Sequence, residues 1–132
     1  MTLAPLLFPM AFAPRDDHTS DALSVEMRDR TGRLVELFRP EEEQKIRAQP
    51  SDDICFRLGF VASTYQSLRR IEVSSQRAKD EVMNDEALLT TEDEIGLAEI
   101  VMHRLDGHPD FDAFTAAYYV REGCLRVRRD RP

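Results

Sequence analysis

From Ser51 to Glu86 the chain is a run of helix-forming residues with apolar side chains at helical spacing and no glycine or proline after Gly59. Ser51 follows the helix stop Pro50 and stands where an N-cap belongs, with Asp52 and Asp53 at the positive end of the macrodipole. Ile54, Leu58, Val61, Tyr65 and Leu68 recur at alternating steps of four and three, which places all five on one stripe. Beyond Leu68 that stripe turns polar at Glu72, Ser75 and Lys79, while Ile71, Ala78 and Val82 lie on a neighbouring one. Either the helix breaks near Val73-Ser74-Ser75 or it runs on into solvent. Unbroken, it would be ~45–50 Å long, against a diameter of roughly 36 Å for a compact domain of this length. Such a rod would protrude and would call for a partner.

The chain has 132 residues, enough for one domain with its own core. Hydrophobic residues make up 42% and charged ones 33%, and there is no Trp, so the core falls to Leu, Ile, Val, Phe, Met and Tyr. Net charge is −7, unevenly spread. From Arg121 onward five arginines face two carboxylates, a tail of +3 on a body of −10. An acidic body repels nucleic acid and anionic membrane at long range and favours basic protein surfaces.

The fold expected is mainly α, with four or five helices, a small N-terminal hairpin and an extended apolar arm. Residues 1–20 form the arm: Pro5, Pro9 and Pro14 exclude a regular helix, yet Leu3, Leu6, Leu7, Phe8, Met10 and Phe12 are too apolar to be left in water. Either the chain's own domain or a second subunit must cover them. The stretch lacks a preceding Lys or Arg and is far short of the ~20 residues that span a bilayer, so it reads as neither a leader nor an anchor. Polar Arg15 to Asp21 links arm to body.

Residues 21–123 form the single domain. Alternation at Leu23, Val25 and Met27, a loop with Gly32, and Leu34 to Phe38 give a hairpin over 23–38, although 34–38 also suits a short helix. Pro40 with Glu41, Glu42 and Glu43 starts a helix. Thr91 and Glu94 form a capping box for a helix whose buried stripe is Ile95, Ala98, Met102 and Leu105 and whose end is Gly107 in the left-handed conformation. A last helix, capped by Asp110 and carrying Phe111, Phe114, Ala117 and Tyr118 towards the core, stops at Gly123. Residues 124–132 are a basic tail, with a short strand at Cys124 to Val127.

Chemistry is scarce. His103 and His108 are five apart with a helix end between them, whereas metal ligands on one helix face sit three or four apart. The five glycines are too scattered for a phosphate cradle, no serine has a nucleophile-elbow context, and the Glu clusters are explained as helix-start charges. Cys55 and Cys124, without C-x-x-C spacing, read as reduced thiols in a cytoplasmic protein, Cys55 being a buried one. No catalytic residue, cofactor site or metal site is assigned.

The expected function is therefore a non-catalytic protein-binding accessory module, working as a homodimer. Its partner-binding residues would be Leu6, Leu7, Phe8, Met10 and Phe12 on the arm, Tyr65 and Leu68 on the long helix, and Arg126, Arg128 and Arg129 on the tail. The alternatives are a nucleic-acid factor using the arginine tail, or an acidic body that mimics nucleic acid in a basic groove; a small enzyme is a more distant one.

Overall fold

The computed structural model describes residues 27–85 and 89–129, and among them are five α-helices and no β-strand. They are α1 (Pro40–Arg47), α2 (Asp53–Arg70), α3 (Ser75–Met83), α4 (Glu92–Leu105) and α5 (Ala113–Arg129). The arm and the first limb of the hairpin up to Glu26 lie outside the described residues. The hairpin tip is present: Gly32 takes φ +85°, its N–H donates to the Asp29 carbonyl, and Arg28 and Leu34 form a single antiparallel bridge. The second limb is neither strand nor helix but extended chain that buries Val35, Leu37 and Phe38.

The long helix breaks. Its last turn closes in a Schellman arrangement, with the Glu72 N–H donating to the Arg69 carbonyl and the Val73 N–H to the Leu68 carbonyl. Glu72 stands at φ +70°, a position usually given to glycine, which is why no glycine signals the break. Ser74 then caps α3 by accepting from the Arg77 N–H at 3.3 Å. The turn folds α3 back so that Ala78 and Val82 are buried with the core of α2. No rod protrudes here, and the polar stretch of the stripe falls on a separate helix.

Local signals hold at most helix starts. Pro40 opens α1, and the Glu42 carboxylate accepts from the Arg39 N–H at 2.8 Å. Thr91 and Glu94 form their capping box, with Thr91 Oγ1 accepting from the Glu94 N–H. Helix α2 starts one residue later than expected, with Asp52 as N-cap and Ser51 Oγ accepting from the Asp53 N–H. Its stripe buries Ile54, Leu58, Val61 and Tyr65 as expected, with Leu68 partly covered.

Three expectations about helix ends and faces are corrected. Gly107 does not take positive φ: α4 ends on Asp106, and the chain leaves through successive tight turns in which Gly107 and His108 donate to the Arg104 and Leu105 carbonyls. The stripe of α4 is Leu97, Ala98, Val101, Met102 and Leu105, leaving Ile95 at the surface. The last helix neither starts at Asp110 nor stops at Gly123. Asp112 caps it, accepting from the Thr115 N–H at 2.7 Å, and it runs through Gly123 to Arg129, so that 124–129 is neither strand nor free tail. Its inner stripe is Ala116, Val120, Gly123, Cys124 and Val127. Phe111 is buried but precedes the helix, and Phe114 turns outward.

The two cysteines are not free thiols. Cys55 on α2 and Cys124 on α5 are joined in a disulfide that is wholly buried. The argument for a reducing compartment drawn from unpaired cysteines therefore falls away. Among the described residues no helix is long and apolar enough to cross a membrane.

Candidate functional site

Helices α2 and α5 form the principal pair and run antiparallel. Arg128 meets Asp52, Cys124 meets Cys55, and the Phe111 carbonyl accepts from the Gln66 side chain at 3.0 Å. They pack closely because Gly59 lies at the crossing, where an added Cβ would come to 3.4 Å from Arg121 Cβ and 3.5 Å from the Ala117 carbonyl. Each helix thus presents three flanks: one to the core, one to its partner, and one outward.

The outward flanks of both helices are aromatic. On α2 they carry Phe56 and Phe60, one turn apart and 56% and 54% exposed. On α5 they carry Phe114 and Tyr118, also one turn apart and 86% and 43% exposed. In the antiparallel register Phe60 stands level with Tyr118, Phe56 stands level with the span between Arg121 and the partly buried Leu125, and Arg121 lies in the seam over Gly59. Four exposed aromatic side chains on one side of a two-helix layer are unusual for a chain that has only ten Phe and Tyr residues. Aromatic side chains are the groups that most often anchor protein interfaces.

Sequence reasoning missed this face because it assigned the aromatics of α5 to the core. The available signal was the spacing of Phe56 and Phe60: both fall off the Ile54–Leu58–Val61–Tyr65 stripe and so had to point elsewhere.

The residues chosen from sequence are placed differently. Leu6, Leu7, Phe8, Met10 and Phe12 lie outside the described residues. Tyr65 is fully buried and its hydroxyl donates to Asp106 Oδ1, with Ser75 Oγ beside it at 2.7 Å. Burial, then the Asp106 carboxylate, pushes the phenol above its ordinary range, so it stays protonated and serves as a strut between α2 and the end of α4. Leu68 is partly buried against the core. Arg128 is spent on structure: Nη1 donates to the Ile46 and Gln49 carbonyls at 2.7 and 3.0 Å, and Nε to Asp52 Oδ1 at 2.6 Å. Arg126 and Arg129 sit near Glu122 at 3.8 and 3.9 Å on the exposed edge of α5. The structure therefore does not gather the three tail arginines into one cationic patch.

Several other polar groups are paired within the fold, while His108 Nδ1 is buried without a hydrogen-bond partner. An open cleft of about 280 Å³ lies beside Gln66, Arg69, Arg70 and Asp106. Asp106 is occupied there by Tyr65 and Ser75, with Arg69 and Lys79 at 3.8 and 3.9 Å, which leaves no free base. Glu42 takes a two-pronged pair from Arg104 at 2.7 and 3.0 Å, binding α1 to α4. Glu94 accepts from Arg57 at 2.9 Å; burial would raise its pKa, but the N–H of Thr90, the Arg57 charge and the N–H of Thr91 together hold it below the usual value. His108 stacks on Phe111 with ring centroids 4.5 Å apart, and His103 is on the surface of α4. Among the described residues no group of three or more His, Cys, Asp or Glu is placed to hold a metal ion.

No protein-family model, curated protein or solved structure matches this chain.

Proposed function

We propose that this chain is a non-catalytic protein-binding accessory module, a regulator, inhibitor, adaptor or assembly factor, whose working surface is the outward face of α2 and α5. The observation that carries this reading is the exposure of Phe56, Phe60, Phe114 and Tyr118 side by side, where water gains nothing and a partner's apolar side chains would. The face is shallow, with Gly59 and Ala117 at its floor, which suits an extended segment or a helix laid along the seam. A second copy of the chain is the first partner to consider.

The nucleic-acid alternative draws less support. Arg128 is committed to α1 and Asp52, and Arg126 and Arg129 share a carboxylate neighbour.

The test compares the full chain with its Phe60→Ser/Phe114→Ser variant as bait, and by sedimentation at rising concentration. Both positions are exposed, so the variant is expected to melt like the parent. The reading requires that a protein, or a second copy, be held by the parent and released by the variant. Identical capture, with both chains monomeric throughout, would remove it.

A further inference from the structure

The aromatic face of α2 and α5 surrounds one charge. Arg121 lies in the seam, one turn from Tyr118 and one turn from Leu125, with its Cβ 3.4 Å from where a Cβ on Gly59 would stand. Gly59 itself falls between Phe56 and Phe60, so the arginine issues among the rings. Its neighbours three and four places along α5 are Ala117, Tyr118, Cys124 and Leu125, none of them acidic, and it makes no hydrogen bond or ion pair with any described residue. The adjacent Glu122 is turned to Arg126 and Arg129, at 3.8 and 3.9 Å. Arg57 and Arg128 on the same two helices differ: each has a carboxylate oxygen close by, at 2.9 and 2.6 Å.

Such a cation is at ease while water reaches it and destabilising once the face is covered. A partner made only of apolar side chains would strip that water and return nothing. One that brings an Asp or Glu to the seam would form a two-pronged, charge-assisted hydrogen bond, strengthened by the rings that exclude solvent around it. The same arginine therefore attracts one class of partner and penalises another. A second copy belongs to the penalised class, because a two-fold axis centred on this face sets two Arg121 side chains against one seam, where like charges repel. Length selects the form of the partner. From Phe114 to Leu125 the face runs about 16 Å at 1.5 Å per residue, three turns of a helix laid in the groove between α2 and α5. Apolar residues at steps of three and four on that helix would meet the rings, as helices docked in grooves do.

We infer that the partner of this face is a helical segment carrying a carboxylate within its apolar stripe, and that Arg121 selects it. The acid stands with an apolar residue three or four places to either side, matching the rings that flank Arg121. This rests on the reading of the α2 and α5 face as a docking surface, and it names the chemistry of what docks there.

The experiment selects a displayed library of random helical peptides in parallel on the full chain, on Arg121→Glu and on Phe60→Ser/Phe114→Ser. Arg121 is half-buried and bonded to no described residue, so Arg121→Glu and Arg121→Ala are expected to melt like the parent. The expected result is a set of peptides held by the parent and lost on the double serine variant, with Asp or Glu at one fixed place in an apolar stripe. Selection on Arg121→Glu should return Lys or Arg at that place. A synthetic copy of the commonest parent-selected peptide should bind Arg121→Ala about tenfold or more weaker. Peptides that need the aromatic side chains but are the same on the parent and on Arg121→Glu overturn the inference and leave the docking surface standing. A parent dimer in sedimentation that Phe60→Ser/Phe114→Ser dissolves gives the face to a second copy and overturns it too. If no peptide prefers the parent to the double variant and the parent is monomeric, the docking surface and the inference fail together.

Discussion

Cys55 in the first turn of α2 and Cys124 in the fourth turn of α5 are covalently joined, with Cα atoms 5.3 Å apart and no exposed area on either residue. The bond lies between the ion pair of Asp52 with Arg128 and the close crossing at Gly59, so it clamps the helix pair that carries the aromatic face.

Reduction should therefore be costly. A crosslink between residues 69 apart in sequence removes loop entropy from the unfolded chain worth about 4 kcal/mol on the chain-entropy account. Urea denaturation with and without a strong reductant is expected to show a loss of that order. A loss under about 1 kcal/mol would mean that the pairing constrains the unfolded ensemble little.

Glu72→Gly should stabilise the protein. The left-handed backbone at φ +70° costs a non-glycine residue roughly 1–2 kcal/mol, partly offset by the greater freedom of glycine in the unfolded chain. A gain of up to about 1 kcal/mol in the denaturation midpoint, with unchanged slope, is expected. A loss would show that the Glu72 side chain contributes more than its backbone costs.

Arg128→Ala should separate the tail arginines by role. Removing the guanidinium takes its donor from the Gln49 carbonyl and leaves the Ile46 carbonyl only the Gln49 N–H at 3.2 Å, a cost of about 1–3 kcal/mol. Arg126→Ala and Arg129→Ala remove only surface pairs and should each change stability by less than about 1 kcal/mol. Equal effects at all three positions would contradict the assignment of Arg128 to the structure.

His108 should make stability depend on pH near neutrality. Burial, and then the Arg33 charge, hold its pKa below the ordinary 6.5, against the opposing pull of Asp110 and Asp29. The folded state thus favours the neutral ring, so the unfolded chain binds more protons as pH falls below about 6.5. The stabilisation is complete above that pH and is lost as pH drops towards the folded value. Denaturation midpoints from pH 7.5 to about 5.5 should decline for the parent and flatten in His108→Gln. Identical slopes would place the titration elsewhere.

What the sequence alone determined is whatever one helical turn encodes. Pro40, the Thr91–Glu94 box and the Ile54–Leu58–Val61–Tyr65 stripe each act through neighbours three or four residues away, so their outcome could be read without the fold. Tertiary structure decided what depends on distant residues meeting. Cys55 pairs with Cys124 only because α2 and α5 run antiparallel in one register, and Arg128 is drawn from a solvated tail to the carbonyls of α1 for the same reason. The outward turn of Phe114 and Tyr118 depends on which stripe of α5 packs inward, that of Ala116, Val120, Gly123, Cys124 and Val127, and that choice is made by the elements it packs against. Glu72 belongs to the same class, because its side chain gives no local sign of the left-handed turn that the packing of α3 on α2 imposes.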